Sequence, residues 1–268
     1  MTIRFVVPCF NEERRLAPGG YRLFLELPGV HLLFVDDGST DRTRPALEAL
    51  CGQMRGRARL LTLSENRGKG EAVRQGMLLA MREGAELIGY FDADLATPAE
   101  EIGRLVRTIE EARAQAVIGA RVAMLGTKIQ RRPARHYLGR VFATFASRVL
   151  HVTVYDTQCG AKVFRASPLL AAALSEPFAG RWAFDVELLG RLLLGSQDAE
   201  GLGTDELLEM PLRRWTHMND EKLRLFTFPV LGIELIRIKL ALARWRQRRD
   251  EVLEPSAQTP VAGGRAAG

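Results

Sequence analysis

Leu87-Ile88-Gly89-Tyr90-Phe91-Asp92-Ala93-Asp94 is a short apolar run that ends in two carboxylates. The run reads as a buried strand. Residues i and i+2 of a strand point to the same face. Asp92 and Asp94 are therefore expected to aim together, and two such carboxylates repel unless a cation sits between them. Hard oxygen ligands of this kind suit Mg²⁺ or Mn²⁺, ions that also bind substrate phosphates. An isolated Asp-x-Asp is as readily an Asp-rich turn, so the flanking sequence has to decide.

Outward from this run, apolar strands alternate with helical patterns. Ile3–Val7 is a strand stopped by Pro8, and 11–27 has a helical look interrupted by Pro18 and two glycines. His31–Val35, Arg59–Leu63 and Ala116–Gly119 are further strands. Helices are expected over 42–54, capped by Ser39 or Thr40, over 68–82 and over 99–112 behind Pro98. This alternation predicts an α/β fold with a mostly parallel central sheet flanked by helices. Beyond residue 120 helices are expected over 137–150, 185–194 and 222–249, the last broken near Pro229, with a strand over 207–212.

Each polar cluster in the first half follows a strand, where open α/β sheets bind their ligands. Asn11 and Glu12 follow the first strand and suit either helix caps or a nucleotide base or ribose. Asp36-Asp37-Gly38-Ser39-Thr40-Asp41 follows the second, with more acids than a capped turn needs; a carboxylate there can accept from a base N–H. Asn66-Arg67-Gly68-Lys69-Gly70 follows the third. Val73 stands where a dinucleotide fingerprint needs its last glycine, and the Lys-Ser/Thr pair of a Walker loop is missing. Backbone N–H groups with Lys69 still favour a phosphate.

These motifs in this order resemble the family 2 glycosyltransferases of the GT-A fold. The resemblance continues through Gly119-Ala120-Arg121, Asp156-Thr157-Gln158-Cys159-Gly160-Ala161-Lys162 and Arg181-Trp182-Ala183-Phe184-Asp185-Val186-Glu187, and covers about residues 3–223. The second half looks most like dolichyl-phosphate β-glucosyltransferases and bacterial polyprenyl-phosphate relatives, with dolichyl-phosphate mannose synthases close behind. The mannose enzymes typically carry a Gln ligand two residues after the second metal Asp. Ala96 stands there, which tilts the donor toward UDP-glucose over GDP-mannose.

The resemblance implies that Pro8, Glu12 and Asp37 hold the uridine with Lys69 nearby, and that Asn11, Asp36, Gly38, Gly70 and Ala93 belong to the same donor-binding set. It places Asp92 and Asp94 at the donor diphosphate, at least one of them coordinating Mg²⁺ or Mn²⁺. Arg121, Arg132 and Arg135 are candidates for the donor diphosphate or an acceptor phosphate, since the guanidinium fork matches phosphate. Asp156, Gln158, Lys162, Trp182, Asp185 and Glu187 are candidates on the sugar or acceptor side; Asp185 and Glu187 equally suit a helix start. A polyprenyl phosphate is already anionic, so displacement at the anomeric carbon with inversion needs no dedicated base.

The 268 residues carry a formal charge of +6, with Arg concentrated in 131–148 and 237–249. That balance points to an anionic partner. No nucleic-acid-binding pattern is present. Cys9, Cys51 and Cys159 are too scattered for a disulfide framework and suit a reduced, cytoplasmic setting. Met1–Pro8 already reads as a strand, so no signal peptide is expected. Pro211 replaces the Gln of the Gln-x-x-Arg-Trp motif of processive synthases, which sets that activity aside. The expected organisation is a catalytic domain over 1–220, an amphipathic helical segment over 221–252 and a disordered tail over 253–268. Ile233, Ile236, Leu240 and Ala243 share one face of that segment among many Arg. Such a helix either packs on the domain or lies on an anionic membrane, here the cytoplasmic face of the inner or plasma membrane. Transfer to a glycan hydroxyl and a non-catalytic nucleotide-binding membrane module are the competing readings.

Overall fold

The computed structural model describes residues 1–130, 133–216 and 227–253; over 133–138, 227–231 and 252–253 only the backbone is described. Seven strands form one mixed sheet in the order β3-β2-β1-β4-β7-β5-β8. They are β1 (Ile3–Cys9), β2 (Val30–Asp36), β3 (Ala58–Thr62), β4 (Leu87–Tyr90), β5 (Ala116–Ala120), β7 (Lys162–Arg165) and β8 (Leu207–Pro211). All neighbours are parallel except β7, which runs antiparallel between β4 and β5. Two further strands, β6 (Lys128–Gln130) and β9 (Arg214–Thr216), pair in parallel as a small second sheet.

The strands read as near-continuous apolar runs because both faces of the sheet are covered. Along β1, Ile3, Phe5, Val7 and Cys9 enter one core layer while Val6 enters the other. In β4 and just beyond it, Leu87 and Phe91 take the first layer and Ile88 and Tyr90 the second. The first layer is closed by α1 (Pro18–Arg22), the 3₁₀ turn Leu23–Glu26, α2 (Thr43–Gln53) and α4 (Ala99–Glu111); the second by α3 (Lys69–Arg82), α6 (Pro168–Ala173) and α7 (Phe184–Leu194). A third cluster joins α7 to α5 (Pro133–Leu150) and α8 (Thr227–Leu253) through Phe142, Val186, Leu189, Leu235, Ile238 and Leu242.

Several expectations are corrected. Pro8 does not stop β1, which runs to Cys9 with Pro8 opposite Val35. Cys9 and its odd-numbered neighbours bond toward β2, whereas Val6 bonds toward β4. Pro8 thus faces the side where the β4 ladder has already ended at Val6–Tyr90, so its missing N–H costs nothing. Residues 11–17 are irregular around a turn at 13–15, and Asn11 has φ +54°. Ser39 and Thr40 do not cap α2. They bond instead to the turn after β1: Asn11 N donates to Ser39 Oγ at 3.1 Å, and Thr40 N donates to Asn11 Oδ1 at 2.9 Å. Pro229 does not break α8, because it falls in the first turn where an N–H has no intrahelical acceptor. Residues 217–226 and 254–268, including the start of the predicted C-terminal helix and the predicted tail, lie outside the described residues.

β1 lies third in the strand order, beside the central strand β4. The chain leaves it toward β2 and β3 on one side, then crosses to β4 on the other. Connections that diverge in this way open a crevice at the carboxyl ends of β1 and β4. The clusters at 8–12, 36–41, 66–70 and 92–94 all follow strands at that end of the sheet.

Candidate active site

Asp92 and Asp94 do not lie in β4, which ends at Tyr90. A tight turn brings them together in place of the strand periodicity. Leu95 N donates to Asp92 O at 3.2 Å, Leu95 takes φ +56°, and Asp94 Oδ1 accepts from Ala96 N at 2.9 Å. Burial, followed by the neighbouring Asp92 charge, pushes the Asp94 carboxyl up to about 6. Asp92 Oδ1 meets the ammonium of Lys69 at 2.5 Å. Burial opposes the charge on Lys69, but Asp92 and Asp185 more than offset it and raise its pKa. This corner takes a cation at Asp92, and it leaves Asp94 destabilised by a like charge. Both observations fit a pair of hard oxygen donors for a divalent ion. Among the described residues no third acidic, His or Cys side chain completes a metal cluster. Substrate oxygens and water are left to fill such a shell.

The Asp156–Gly160 loop presses on this corner from the other side. A Cβ on Gly160 would lie 2.0 Å from Asp92 Oδ2. The sequence shows Gly160 only as part of a motif; its contact with Asp92 depends on β7 lying beside β4.

Asp37 turns inward. Its oxygens accept from Arg67 N at 2.9 Å and Gly68 N at 2.8 Å, and so set the loop that presents Lys69. Burial pushes the Asp37 carboxyl up, and those two N–H groups pull it part of the way back. Asp36 is buried and holds Ser39 N at 3.1 Å. Gly38, at φ +67°, lies so close to Glu65 and Asn66 that a Cβ would fall 2.5 Å from backbone. Glu12 pairs with Arg15, and its N–H donates to Thr43 Oγ1 at 2.7 Å. Gly70 N reaches Arg181 O at 3.4 Å, which brings the 66–70 loop against the segment before α7. Ala93 is buried, and its carbonyl accepts from Tyr21 Oη at 2.6 Å.

Arg121, just past β5, forms a fork with Asp156: Nε to Oδ2 at 2.7 Å and Nη2 to Oδ1 at 2.8 Å. Its guanidinium also lies 5.3 Å from the Trp215 ring. Burial opposes this charge, but the Asp156 carboxylate holds the pKa above its ordinary value. Asp156 is itself set by Glu209 on β8, whose carboxylate accepts from Tyr155 N at 2.7 Å and Asp156 N at 2.9 Å. The sequence motifs do not mark Glu209 or Trp215 as site residues; an acid in the apolar stretch Leu207–Pro211 is the signal for the first. Arg121→Lys keeps the charge but loses the fork and the stacked plane. Turnover is expected to fall about tenfold, with little change in thermal midpoint, in a steady-state assay paired with thermal unfolding.

Three substrate-side candidates are internal. Lys162 is fully buried and donates to Asp185 Oδ1 at 2.5 Å and to the Cys159 carbonyl. Tyr90 Oη donates to the same Asp185 oxygen. Glu187 is also fully buried; it accepts from Ala179 N at 2.7 Å and Arg191 Nη2 at 2.7 Å. In this arrangement their polar atoms hold loops together. Trp182 is exposed. The Gln158 Nε2 and Thr157 Oγ1 atoms are buried without a hydrogen-bond partner among the described residues. Arg135 lies on the first turn of α5, and Arg132 is outside the described residues.

The profile of the family described as "Glycosyl transferase family 2" matches residues 5–170. The chain belongs to glycosyltransferase family 2. A dolichyl-phosphate beta-glucosyltransferase of Trichomonas vaginalis is 31% identical over 88% of this chain and 70% of its own length. That of Mus musculus is 29% identical over 91% of this chain and 77% of its own. A polyprenol monophosphomannose synthase of Mycolicibacterium smegmatis is 28% identical over 70% of this chain and 71% of its own. In fold the chain is similar to a solved glucosyl-3-phosphoglycerate synthase from Mycobacterium tuberculosis in complex with Mn²⁺, UDP and glucosyl-3-phosphoglycerate. The TM-score is 0.65 at 20% identity, covering 90% of this chain and 79% of that one. The mixed sheet flanked by helices is the GT-A fold expected from the sequence, and a glycosyltransferase is the enzyme class.

Proposed function

We propose that this glycosyltransferase moves a hexose, glucose from UDP-glucose, to a polyprenyl phosphate with inversion, at the surface of an anionic membrane. The observation that carries the acceptor is an apolar cleft of about 1070 Å³ between α5, α7 and α8. Phe145, Val149, Leu235, Ile236 and Leu242 line it, and Arg148, Lys239 and Arg246 stand among them, outnumbering the two lining acids, Asp250 and Glu251. Val141 and Phe145 on α5 and Ile233, Ile236 and Leu240 on α8 are each more than half exposed. Apolar side chains mixed with cations suit the boundary between acyl chains and anionic headgroups. Among the described residues no helix is long and apolar enough to cross a membrane. This reading puts the chain on the cytoplasmic face. The named relatives that act on dolichyl phosphate or polyprenol support the same acceptor class.

In this reading the clusters at 8–12, 36–41 and 66–70 hold the uridine side of the donor. Asp92 and Asp94 hold Mg²⁺ or Mn²⁺ against the diphosphate; when bound, the ion neutralises charge on the leaving nucleotide as a Lewis acid. Arg121, oriented by Asp156, offers a fixed guanidinium to a phosphate, and the buried amide of Gln158 offers an unused donor. The acceptor phosphate arrives as an anion, so these residues have to bind and orient it without removing a proton. Ala96 supports glucose over mannose. It is buried inside the aspartate turn, its N–H on Asp94 and its carbonyl accepting from Thr216 N at 3.0 Å, so this position offers no metal ligand.

The test is a screen of UDP- and GDP-sugars against polyprenyl phosphate with Mg²⁺ or Mn²⁺. The expected product is glucosyl-lipid from UDP-glucose, lost on adding EDTA and restored by excess Mn²⁺. Product from GDP-mannose alone would refute the inference from Ala96. Transfer only to a soluble glycan hydroxyl would refute the lipid-phosphate acceptor.

A further inference from the structure

We propose that Glu234 is a positioning residue for the donor site, a latch by which α8 holds the segment before α7 against the loop that presents Lys69. The inference rests on reading that loop as part of the nucleotide-sugar site.

Glu234 lies on α8, 51–53 residues along the chain from its partners, and is 6% exposed. A buried carboxylate needs compensation. Among the described residues it comes from backbone alone: Arg181 N donates at 3.1 Å, Trp182 N at 3.3 Å and Ala183 N at 2.9 Å. These N–H groups belong to the segment that leads into α7 and end at its N-cap residue, Ala183, which supplies no side-chain cap of its own. An acid at a helix N-terminus is favoured by the unpaired N–H groups and the helix dipole. The unusual point is that the acid comes from a different helix, so the docking of α8 adds to the order of the segment that leads into α7.

The held segment continues into the donor loop. Arg181 O accepts from Gly70 N at 3.4 Å, and Arg181 Nη2 donates to Asn66 Oδ1 at 3.0 Å. The Arg181 guanidinium lies over Gly68, close enough that a Cβ there would meet its Nε at 2.9 Å. Phe184, at the start of α7, packs over Gly70 in the same way, at 2.8 Å. Lys69, between these two glycines, reaches Asp92 at 2.5 Å. A contiguous set of contacts therefore runs from Glu234 through Arg181 to Lys69 and Asp92. Further along α8, Ile238 packs on Gly180 and Leu242 on Gly190, so one face of the helix is committed to α7. Ile233, Ile236 and Leu240 on the other faces are exposed. Whatever engages those exposed faces acts on the helix that carries the latch.

The test compares Glu234→Ala, Glu234→Gln and Trp245→Phe in the full chain. Trp245→Phe removes the 2.7 Å bond from Trp245 Nε1 to Gly195 O and loosens the far end of α8 without touching residues 181–183. Two quantities are read besides the thermal midpoint: UDP affinity with Mn²⁺ by calorimetry, and amide hydrogen exchange at residues 66–70. Glu234→Ala is expected to weaken UDP about tenfold, a coupling typical of contiguous contacts, and to speed exchange at Gly70. Trp245→Phe is expected to lower the midpoint and leave both unchanged. The proposal is overturned if both variants lose midpoint alike while binding UDP like the unmodified chain. If Glu234→Ala does not fold, Glu234→Gln decides: unchanged UDP affinity and unchanged exchange at 66–70 overturn the latch. Failure of the unmodified chain to bind UDP sinks the donor reading, whereas unaltered exchange at 66–70 sinks the latch by itself.

Discussion

Gly160→Ala is expected to lower turnover by about 10²–10³-fold while the thermal midpoint stays within about 3 °C of the parent. The added methyl would lie 2.0 Å from one Asp92 oxygen and 2.6 Å from the other, inside any allowed contact. Gly160 is not among the residues with positive φ, so alanine brings no backbone strain. The Asp92 side chain is 40% exposed, so it has room to swing into solvent. The clash is therefore relieved by moving the carboxylate, not by unfolding the chain. That movement separates Asp92 from Lys69 and from the position proposed for a divalent ion. Electrostatic groups act by being fixed before the charge develops, and a displaced one contributes little. The comparison variant is Asp92→Asn, which removes the charge without a clash and should lose a similar factor. Parental kcat in Gly160→Ala would show that the Asp92 carboxylate is not needed where the structure puts it.

The second large effect is on stability. Asp185→Ala is expected to destabilise the fold by about 3–5 kcal/mol, because it leaves the Lys162 ammonium buried without its counter-charge. Lys162 is wholly inaccessible, and among the described residues it would keep only the Cys159 carbonyl as a hydrogen-bond acceptor and the Tyr90 ring at 5.3 Å, neither of them a counter-charge. Tyr90 would lose its acceptor in the same step, and burial together with Asp185 already holds that phenol well above its ordinary pKa. Breaking one side of a buried pair costs more than removing both sides. The double variant Asp185→Leu/Lys162→Met should therefore recover much of the loss in denaturant midpoint, a coupling that a double-mutant cycle measures. If the double variant is as unstable as the sum of the single ones, the pair is not the source of the effect. This also separates a structural acid from one that binds sugar: a substrate ligand at 185 would lose activity without this stability signature.

The two effects concern neighbouring loops but distinct physics. Asp92 is exposed enough to move and is held by contacts at its edge. Asp185 is buried and holds Lys162 and Tyr90 in place. The sequence places both acids in polar motifs and does not tell them apart, because exposure is a property of packing.

The amino-acid sequence by itself determined the strand–helix alternation, the position of each polar cluster after a strand, and the family. Those features are local: apolar runs of strand length, glycine-bearing turns and motif order are set by residues near one another in the chain. It also made the Asp92–Asp94 pair visible, although a turn with Leu95 at φ +56° brings the two together instead of the strand register. What only the tertiary structure decided comes from residues far apart in the chain. β7 inserts antiparallel between β4 and β5, and that insertion carries Gly160 onto Asp92. Arg121 finds Asp156, and Asp156 finds Glu209, across 35 and 53 residues. Lys162 at the start of β7 and Asp185 and Glu187 on α7 turn inward, where they bond to one another, to backbone groups of neighbouring loops and to Arg191. Glu234 reaches α7 only once α8 has packed on it. Such pairings follow from which surfaces are buried together, and no periodicity in a single sequence records them.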